Sequence, residues 1–263
     1  MNQFSSYVDT PKVSWVICIH KLLCNAGCDA IQSCLDEGHE SIEVIVVVNG
    51  PETEQIRTIL SSVFASESRV KIFKSSTKGL GFNLAFGVEM ADGDYIARLD
   101  MDDICLPGRL KIQLGYFNRF PNAHFIACSG KAKVLGGRPF KVVNCDSFAL
   151  GNIVQHPSVL VQRSSVLCSG NYGYHFGAED FELWVRMLQD LGGEGVLMNE
   201  SVVTYSSVGV GGFRRHPKAY LTVFLVQMKM FLIKGSLTWL IGALLSLAKH
   251  WASKLQNMVF KKW

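Results

Sequence analysis

The feature that most narrows what this chain can fold into is the alternation, over its first hundred residues, of short β-branched runs with helix-length segments. The runs at 13–19, 42–48, 70–73 and 95–99 are apolar without strict polar alternation, as strands buried on both faces must be. Between them, 29–37, 53–65 and 81–91 are each long enough for a crossover helix. Strand–helix repetition predicts an α/β fold with a mostly parallel sheet. Ligands of such sheets bind beyond the carboxyl ends of the strands, so chemistry is sought just after Ile19, Val48 and Leu99.

Further along, a helix is predicted at 109–119, with Leu110, Leu114 and Phe117 on one stripe. Then the texture changes. Residues 125–128, 131–135 and 159–162 read as short mixed-sheet strands, with Gly136-Gly137 as a hairpin turn. A helix at 179–191 and a strand at 202–205 follow.

All 22 acidic residues lie at or before Glu200, whereas residues 201–263 carry nine basic groups and no acidic one. That asymmetry sets a basic apolar tail, 211–263, apart from the larger domain, 1–210, and points to an anionic partner for the tail. The longest uncharged stretch of the tail, 235–248, has 14 residues, fewer than the roughly 20 that span a bilayer. Leu244, Leu247, Trp251, Leu255 and Met258 recur at helical steps, opposite Lys249, Ser253, Lys254 and Asn257. This pattern reads as an interfacial amphipathic helix on an anionic membrane surface; packing on the catalytic domain or on a second copy is the alternative. With its arginines few, the tail is not a nucleic-acid site. The polar first ten residues contain no secretory signal, so the eight cysteines are expected reduced, as packing residues.

Two acidic groups carry the chemistry. Asp100 and Asp102, two apart in an extended backbone, project together and offer hard oxygen ligands to a divalent cation that also holds phosphate. The same aspartates would equally cap the next helix. Glu179-Asp180 opens the late helix, with Asp180 on the stripe of Trp184, Met187 and Leu191. Buried there, Asp180 would be a strengthened base, or else a helix cap.

Three ordered stretches resemble family 2 glycosyltransferases of the GT-A fold, of the bacterial surface-polysaccharide type. The first runs from Gly87-Val88-Glu89 through Arg98-Leu99-Asp100-Met101-Asp102-Asp103-Ile104 into Leu106-Pro107-Gly108-Arg109-Leu110. The second is His156-Pro157-Ser158-Val159 with Arg163 and Gly170-Asn171-Tyr172. The third is Ala178-Glu179-Asp180-Phe181-Glu182-Leu183-Trp184. The resemblance covers roughly residues 12 to 207.

It implies a GT-A-type nucleotide-sugar-binding domain with a C-terminal helical appendage. Asp102, with Asp100, would hold Mn²⁺ or Mg²⁺, and Asp180 would deprotonate the acceptor. Ile19, Asn49, Arg98, Asp100, Met101 and His156 would contact the nucleotide sugar, and Glu179, Tyr172 and Trp184 the acceptor. His156 is otherwise a structural turn residue, and Arg98 a strand-end ion pair. The reaction implied is inverting transfer of a single sugar, hexosyl or N-acetylhexosaminyl. The donor would be a UDP-sugar or, less often, a dTDP- or GDP-sugar. The acceptor would be lipid-linked or an oligosaccharide in O-antigen, capsule or lipooligosaccharide synthesis, at the cytoplasmic face of the membrane. The chain departs from the family at His20-Lys21, after the first strand, and at Val48-Asn49, where an aspartate is usual. A sugar nucleotidyltransferase would need a glycine- and arginine-rich loop where His20-Lys21-Leu22-Leu23-Cys24 stands. The remaining rival is an inactive glycosyltransferase-like scaffold.

Overall fold

The structure, a computed structural model, describes residues 10–21, 25–130, 132–173, 175, 177–204 and 217–260. Four parallel strands form its first half: β1 (Val13–Ile19), β2 (Ile42–Val48), β3 (Val70–Lys74) and β4 (Tyr95–Arg98). They are joined by α1 (Ala26–Leu35), α2 (Thr53–Val63) and α3 (Leu80–Met90). Every residue of β1 and β2 is buried, which explains their unbroken apolar runs.

The later elements are β5 (Ile104–Cys105), α4 (Arg109–Arg119), β6 (Ala123–Cys128), α5 (Ala132–Leu135), β7 (Phe140–Val143), β8 (Leu160–Gln162), α6 (Arg163–Cys168), α7 (Glu179–Asp190), β9 (Glu194–Met198), β10 (Val203–Thr204), α8 (Pro217–Lys234) and α9 (Leu237–Phe260). The main sheet runs in the order β3-β2-β1-β4-β8-β6-β9-β7, and β10 pairs with β5 beside it. Strand β8 is antiparallel to both β4 and β6, while β6 and β9 are parallel. The sheet is thus mostly parallel, with an antiparallel insertion at β8 and an antiparallel edge at β7.

At that insertion lies a buried clamp. Arg109, fully buried at the start of α4, donates to the carbonyls of Arg98, Val159 and Pro157, each at 3.0 Å. Its Nε reaches Gln113 Oε1 at 2.9 Å, and its guanidinium lies 4.8 Å from the Trp15 ring centroid. Gln113, also fully buried, donates to the carbonyls of Ile126 and Ser158. These two side chains supply donors to carbonyls at the seam, that of Val159 accepting the Arg98 N–H at 2.9 Å as well; such groups left unpaired in the interior would be costly.

Three expectations are corrected. Residues 132–135 form a helical turn, not a strand; Lys131 lies outside the described residues. A short apolar run has no periodicity to separate the two. Gly136 and Gly137, both at positive φ, join that turn to β7 rather than closing a hairpin, since β7 pairs with β9. The aspartate segment is likewise not extended. Strand β4 ends at Arg98, and the Asp103 N–H donates to the Asp100 carbonyl at 3.2 Å, so the motif is a tight turn.

In the tail α8 and α9 run antiparallel, His250 Nδ1 lying 2.8 Å from the Pro217 carbonyl oxygen, and they pack on one another and on the domain. Gln227, fully buried, donates to the Ala149 carbonyl at 2.7 Å and accepts from Ser246 Oγ at 2.7 Å. Asp146 accepts from Trp239 Nε1 at 2.9 Å and pairs with Lys234 at 2.8 Å. At Gly242 a Cβ would lie 1.8 Å from the Ala149 carbonyl oxygen, so only glycine permits this approach. The outer face stays apolar: Leu225, Leu232, Ile233, Leu237, Ile241, Leu244, Trp251 and Leu255 are all exposed. The side chains of Asn257 and Met258 lie outside the described residues. Among the described residues no helix is long and apolar enough to cross a membrane.

Replacing Arg109 with Met should remove the donors it gives to the Arg98, Pro157 and Val159 carbonyls and the partner of Gln113 Oε1, costing about 3 kcal/mol or more. Urea unfolding followed by circular dichroism measures this; a loss below about 1 kcal/mol would contradict the clamp.

Candidate active site

Strands β1 and β4 are parallel neighbours, so their carboxyl ends open on one edge. Strand β8 runs the opposite way and starts at that edge, which brings back the turn His156–Ser158 preceding it. Asn49 joins the same edge: its N–H donates to the Ile19 carbonyl at 3.0 Å, and its side chain reaches the Thr77 carbonyl at 3.5 Å. Helix α7 approaches from the side. A Cβ on Gly81 of α3 would lie 2.2 Å from the Gly173 carbonyl oxygen and 3.3 Å from Glu179 Cβ. Glycine here lets the start of α7 close on the sheet edge.

Arg98 is buried beneath the edge, its guanidinium bonded to the Leu99 carbonyl and the Asp100 carboxylate. Asp100 and Asp102 are half-buried in the turn above it, while Met101 is buried and belongs to the core. Ile19 is also buried, so it shapes the floor of the edge. His156 Nε2 and the Tyr172 hydroxyl are 3.0 Å apart. Burial, aided by the Arg98 charge, holds the histidine well below its ordinary pKa, so it is neutral. Burial pushes the Tyr172 hydroxyl well up. Tyr172 is aimed by Asn171, which stands at φ 62°, accepts from the Tyr172 N–H at 2.8 Å and donates to the Ala85 carbonyl at 3.1 Å.

Trp184, expected among the acceptor contacts, has no exposed surface. It lies 6.2 Å from His156 and 6.4 Å from Tyr172, ring centroid to centroid, and therefore braces those two residues instead of offering a face to an acceptor. The expected burial of Asp180 falls on its neighbour. Glu179 is 5 % exposed and Asp180 half-buried. Burial, then the adjacent Asp180 charge, raises Glu179 to about 7; Arg98 pulls it down and Asp100 pushes it up. Those last influences tie the aspartate turn and the start of α7 to one electrostatic neighbourhood.

Asp180 lines a cleft of about 570 Å³ with Asn152, Gln155 and His156, closed on its far side by Tyr220 and Val223 of α8 and Ser246 and Lys249 of α9. Asn152 Nδ2 donates to Asp180 Oδ2 at 2.5 Å. No sequence spacing pointed to Asn152, which reaches the site from an irregular loop. Arg186 was in principle legible: it pairs with Glu182 one turn away at 2.7 Å, and its other nitrogen fixes the Asn171 carbonyl at 2.7 Å.

Among the described residues no group of three or more His, Cys, Asp or Glu side chains could hold a metal by itself. The donor set is two carboxylates in one turn, with one Asp100 oxygen engaged by Arg98. That suits a hard cation completing its shell with phosphate oxygens and water. The seven described cysteines are free; Cys18, Cys34, Cys105, Cys128 and Cys145 are buried, Cys168 is exposed, and Cys24 lies outside the described residues.

A buried carboxyl raised from 4.5 to about 7 binds more protons folded than unfolded. Its stabilising contribution is therefore complete below pH 4.5 and is lost as pH rises through 7. Glu179→Gln should accordingly raise stability at pH 8.5 relative to the parent by up to about 3 kcal/mol and have little effect at pH 4.5. Thermal unfolding at both pH values checks this; equal effects at the two would contradict a raised Glu179.

The sequence profile described as Glycosyl transferase family 2 matches residues 23–155, or 133 of the 263 residues. Two bacterial relatives are the amylovoran biosynthesis glycosyltransferase AmsE of Erwinia amylovora, 27% identical over 60% of this chain and 64% of its own, and the O-antigen biosynthesis glycosyltransferase WbnJ of Escherichia coli, 29% identical over 61% and 66%. The chain thus matches slightly less than two thirds of the length of each. Among solved structures, the mannosyltransferase PcManGT from Pyrobaculum calidifontis, in complex with GDP-Man and Mn²⁺, superposes with a TM-score of 0.69 at 12% identity, over 96% of this chain and 76% of that one. At that identity the likeness speaks for the fold, which is GT-A-like. With the profile spanning the sheet edge from α1 to the Asn152 loop, the chain belongs to glycosyl transferase family 2.

Proposed function

We propose that the chain transfers a single sugar, with inversion, from a nucleotide-sugar donor to a hydroxyl of a lipid-linked or oligosaccharide acceptor in bacterial surface-glycan synthesis. The observation that carries this reading is the convergence of the aspartate turn, the His156 turn and the start of α7 on one sheet edge. The relatives' roles in amylovoran and O-antigen synthesis support the biological setting, and a UDP-sugar is the preferred donor.

Asp180, facing the cleft and held by Asn152, is the general base. The acceptor oxygen bonds to the anomeric carbon as the bond from that carbon to the diphosphate oxygen breaks. The proton passes to Asp180, and the nucleoside diphosphate leaves with the bonding electrons. Glu179, raised to about 7, keeps a protonated population near neutral pH. It can therefore donate a hydrogen bond to the acceptor without competing as a base. Arg98 and Asp100 fix the floor beneath the leaving group, and neutral His156 with Tyr172 forms the wall beside the donor sugar. A divalent cation, Mn²⁺ or Mg²⁺, held by Asp102 with Asp100, would supply Lewis-acid neutralisation of the diphosphate.

The exposed apolar face of α8 and α9, in a tail with nine basic groups and no acidic one, is the membrane-facing side. The enzyme then lies peripherally on an anionic leaflet, where lipid-linked acceptors are.

Nucleotide-sugar hydrolysis with Mn²⁺ should fall by about two orders of magnitude or more in Asp102→Ala; undiminished hydrolysis would remove the metal assignment. Asp180→Asn should keep donor binding by calorimetry and lose transfer; full transfer would place the base elsewhere. Because the tail is packed on the domain, its membrane role is tested at its surface: Leu232→Ser with Leu237→Ser should weaken binding to phosphatidylglycerol vesicles roughly tenfold. Unchanged binding would refute it.

A further inference from the structure

Resting on the reading just given, we propose that the C-terminal helix pair forms the acceptor-selecting wall of the cleft, and that Lys249 recognises a phosphate group on a lipid-linked acceptor.

The cleft is not a property of the catalytic segment alone. Asp180 lines it from α7, while Tyr220 of α8 and Ser246 and Lys249 of α9 line it from the tail. The tail side is held firmly: Ser246 is locked to Gln227, Gln227 to the Ala149 carbonyl, and Gly242 lies against the same carbonyl. A wall so anchored keeps a constant height relative to Asp180, which is what selection among acceptor hydroxyls requires.

The chemistry of that wall is cationic. Lys249 is exposed and has no ion pair among the described residues, and no carboxylate exists anywhere in residues 201–263 to neutralise it. Asp180, on the facing wall, accepts from the Asn152 amide at 2.5 Å, and no ion pair joins it to Lys249 among the described residues. An acceptor carrying an anionic group opposite its reacting hydroxyl would therefore pair with Lys249, and phosphate accepts such a point charge well.

Apolar surface continues from the same place. Leu150, 55% exposed, lines the cleft. Leu245, one turn before Lys249 on the same face of α9, is 49% exposed, and Leu244 and Ile241 extend the apolar surface along the helix. A phosphate at Lys249 thus sits where a polar cleft meets an apolar helix surface, the boundary expected for a lipid phosphate and not for a free sugar phosphate.

Geranyl diphosphate, inorganic pyrophosphate and geraniol are the probes, titrated calorimetrically into the full chain with UDP in excess to occupy the donor side. The expected order is geranyl diphosphate tightest, with about tenfold weaker binding in Lys249→Gln and recovery in Lys249→Arg. Lys141→Gln, the same charge loss on the edge strand β7, should leave binding as in the parent. Geranyl diphosphate binding equally well to Lys249→Gln, or not at all to the parent, would overturn the proposal. Pyrophosphate binding as tightly as geranyl diphosphate would overturn the lipid part of it. Nucleotide-sugar hydrolysis by the parent is measured alongside. Its absence would sink the transferase reading, whereas hydrolysis with no Lys249 effect would sink only this inference.

Discussion

The site depends on how a buried guanidinium ends a strand. Where the sheet switches from parallel to antiparallel pairing, buried carbonyls at the seam still have room for further donors. Arg109 and Gln113 take up those of Arg98, Pro157, Val159, Ser158 and Ile126. Arginine suits this because its planar fork reaches several acceptors at once, and its weakly hydrated charge can rest on the Trp15 ring. The result fixes the His156 turn against the aspartate turn. Loosening the seam would let two halves of the site drift apart with every catalytic side chain still present.

Above that seam, two adjacent carboxyls on one helix acquire different properties from their surroundings. Glu179 faces inward and is held near neutrality by burial, while Asp180 faces the cleft with an amide partner. Neighbouring carboxyls pushed apart in this way take different roles in acid–base chemistry. The neutral His156 and the buried Arg98 complete the contrast, because the Arg98 guanidinium lies against Asp100.

Much of this was legible in the sequence, and the failures have physical causes. Strands β1 and β2 stood out because burial on both faces demands unbroken β-branched runs, whereas β3, half-buried along most of its length, was read from a shorter run. Helix α4 was placed to the residue because Leu110, Leu114 and Phe117 share a stripe. The segment 131–135 misled because three apolar residues, Ala132, Val134 and Leu135, fit a helical turn as well as a strand. Asp180 was expected inside by helical spacing, but the first turn of α7 is wedged against Gly81 and Gly173, and that wedge buries Glu179 instead. Asn152 could not be foreseen, since nothing local distinguishes a loop asparagine that meets a distant helix. For the tail, periodicity found an apolar stripe correctly yet could not say that Gly242 lets α9 close on the Ala149 carbonyl, nor that buried Gln227 ties α8 to that carbonyl and to Ser246.

The central claim is that the aspartate turn and the start of α7 face one cleft closely enough to feel each other's charge. The most direct measurement is the NMR titration of the Glu179 side-chain carboxyl in the parent and in Asp100→Asn. Removing the Asp100 charge, which pushes Glu179 up, also frees Arg98, which pulls it down, so the midpoint near 7 should move lower. A midpoint that does not move would mean that the two carboxyl groups belong to separate surfaces.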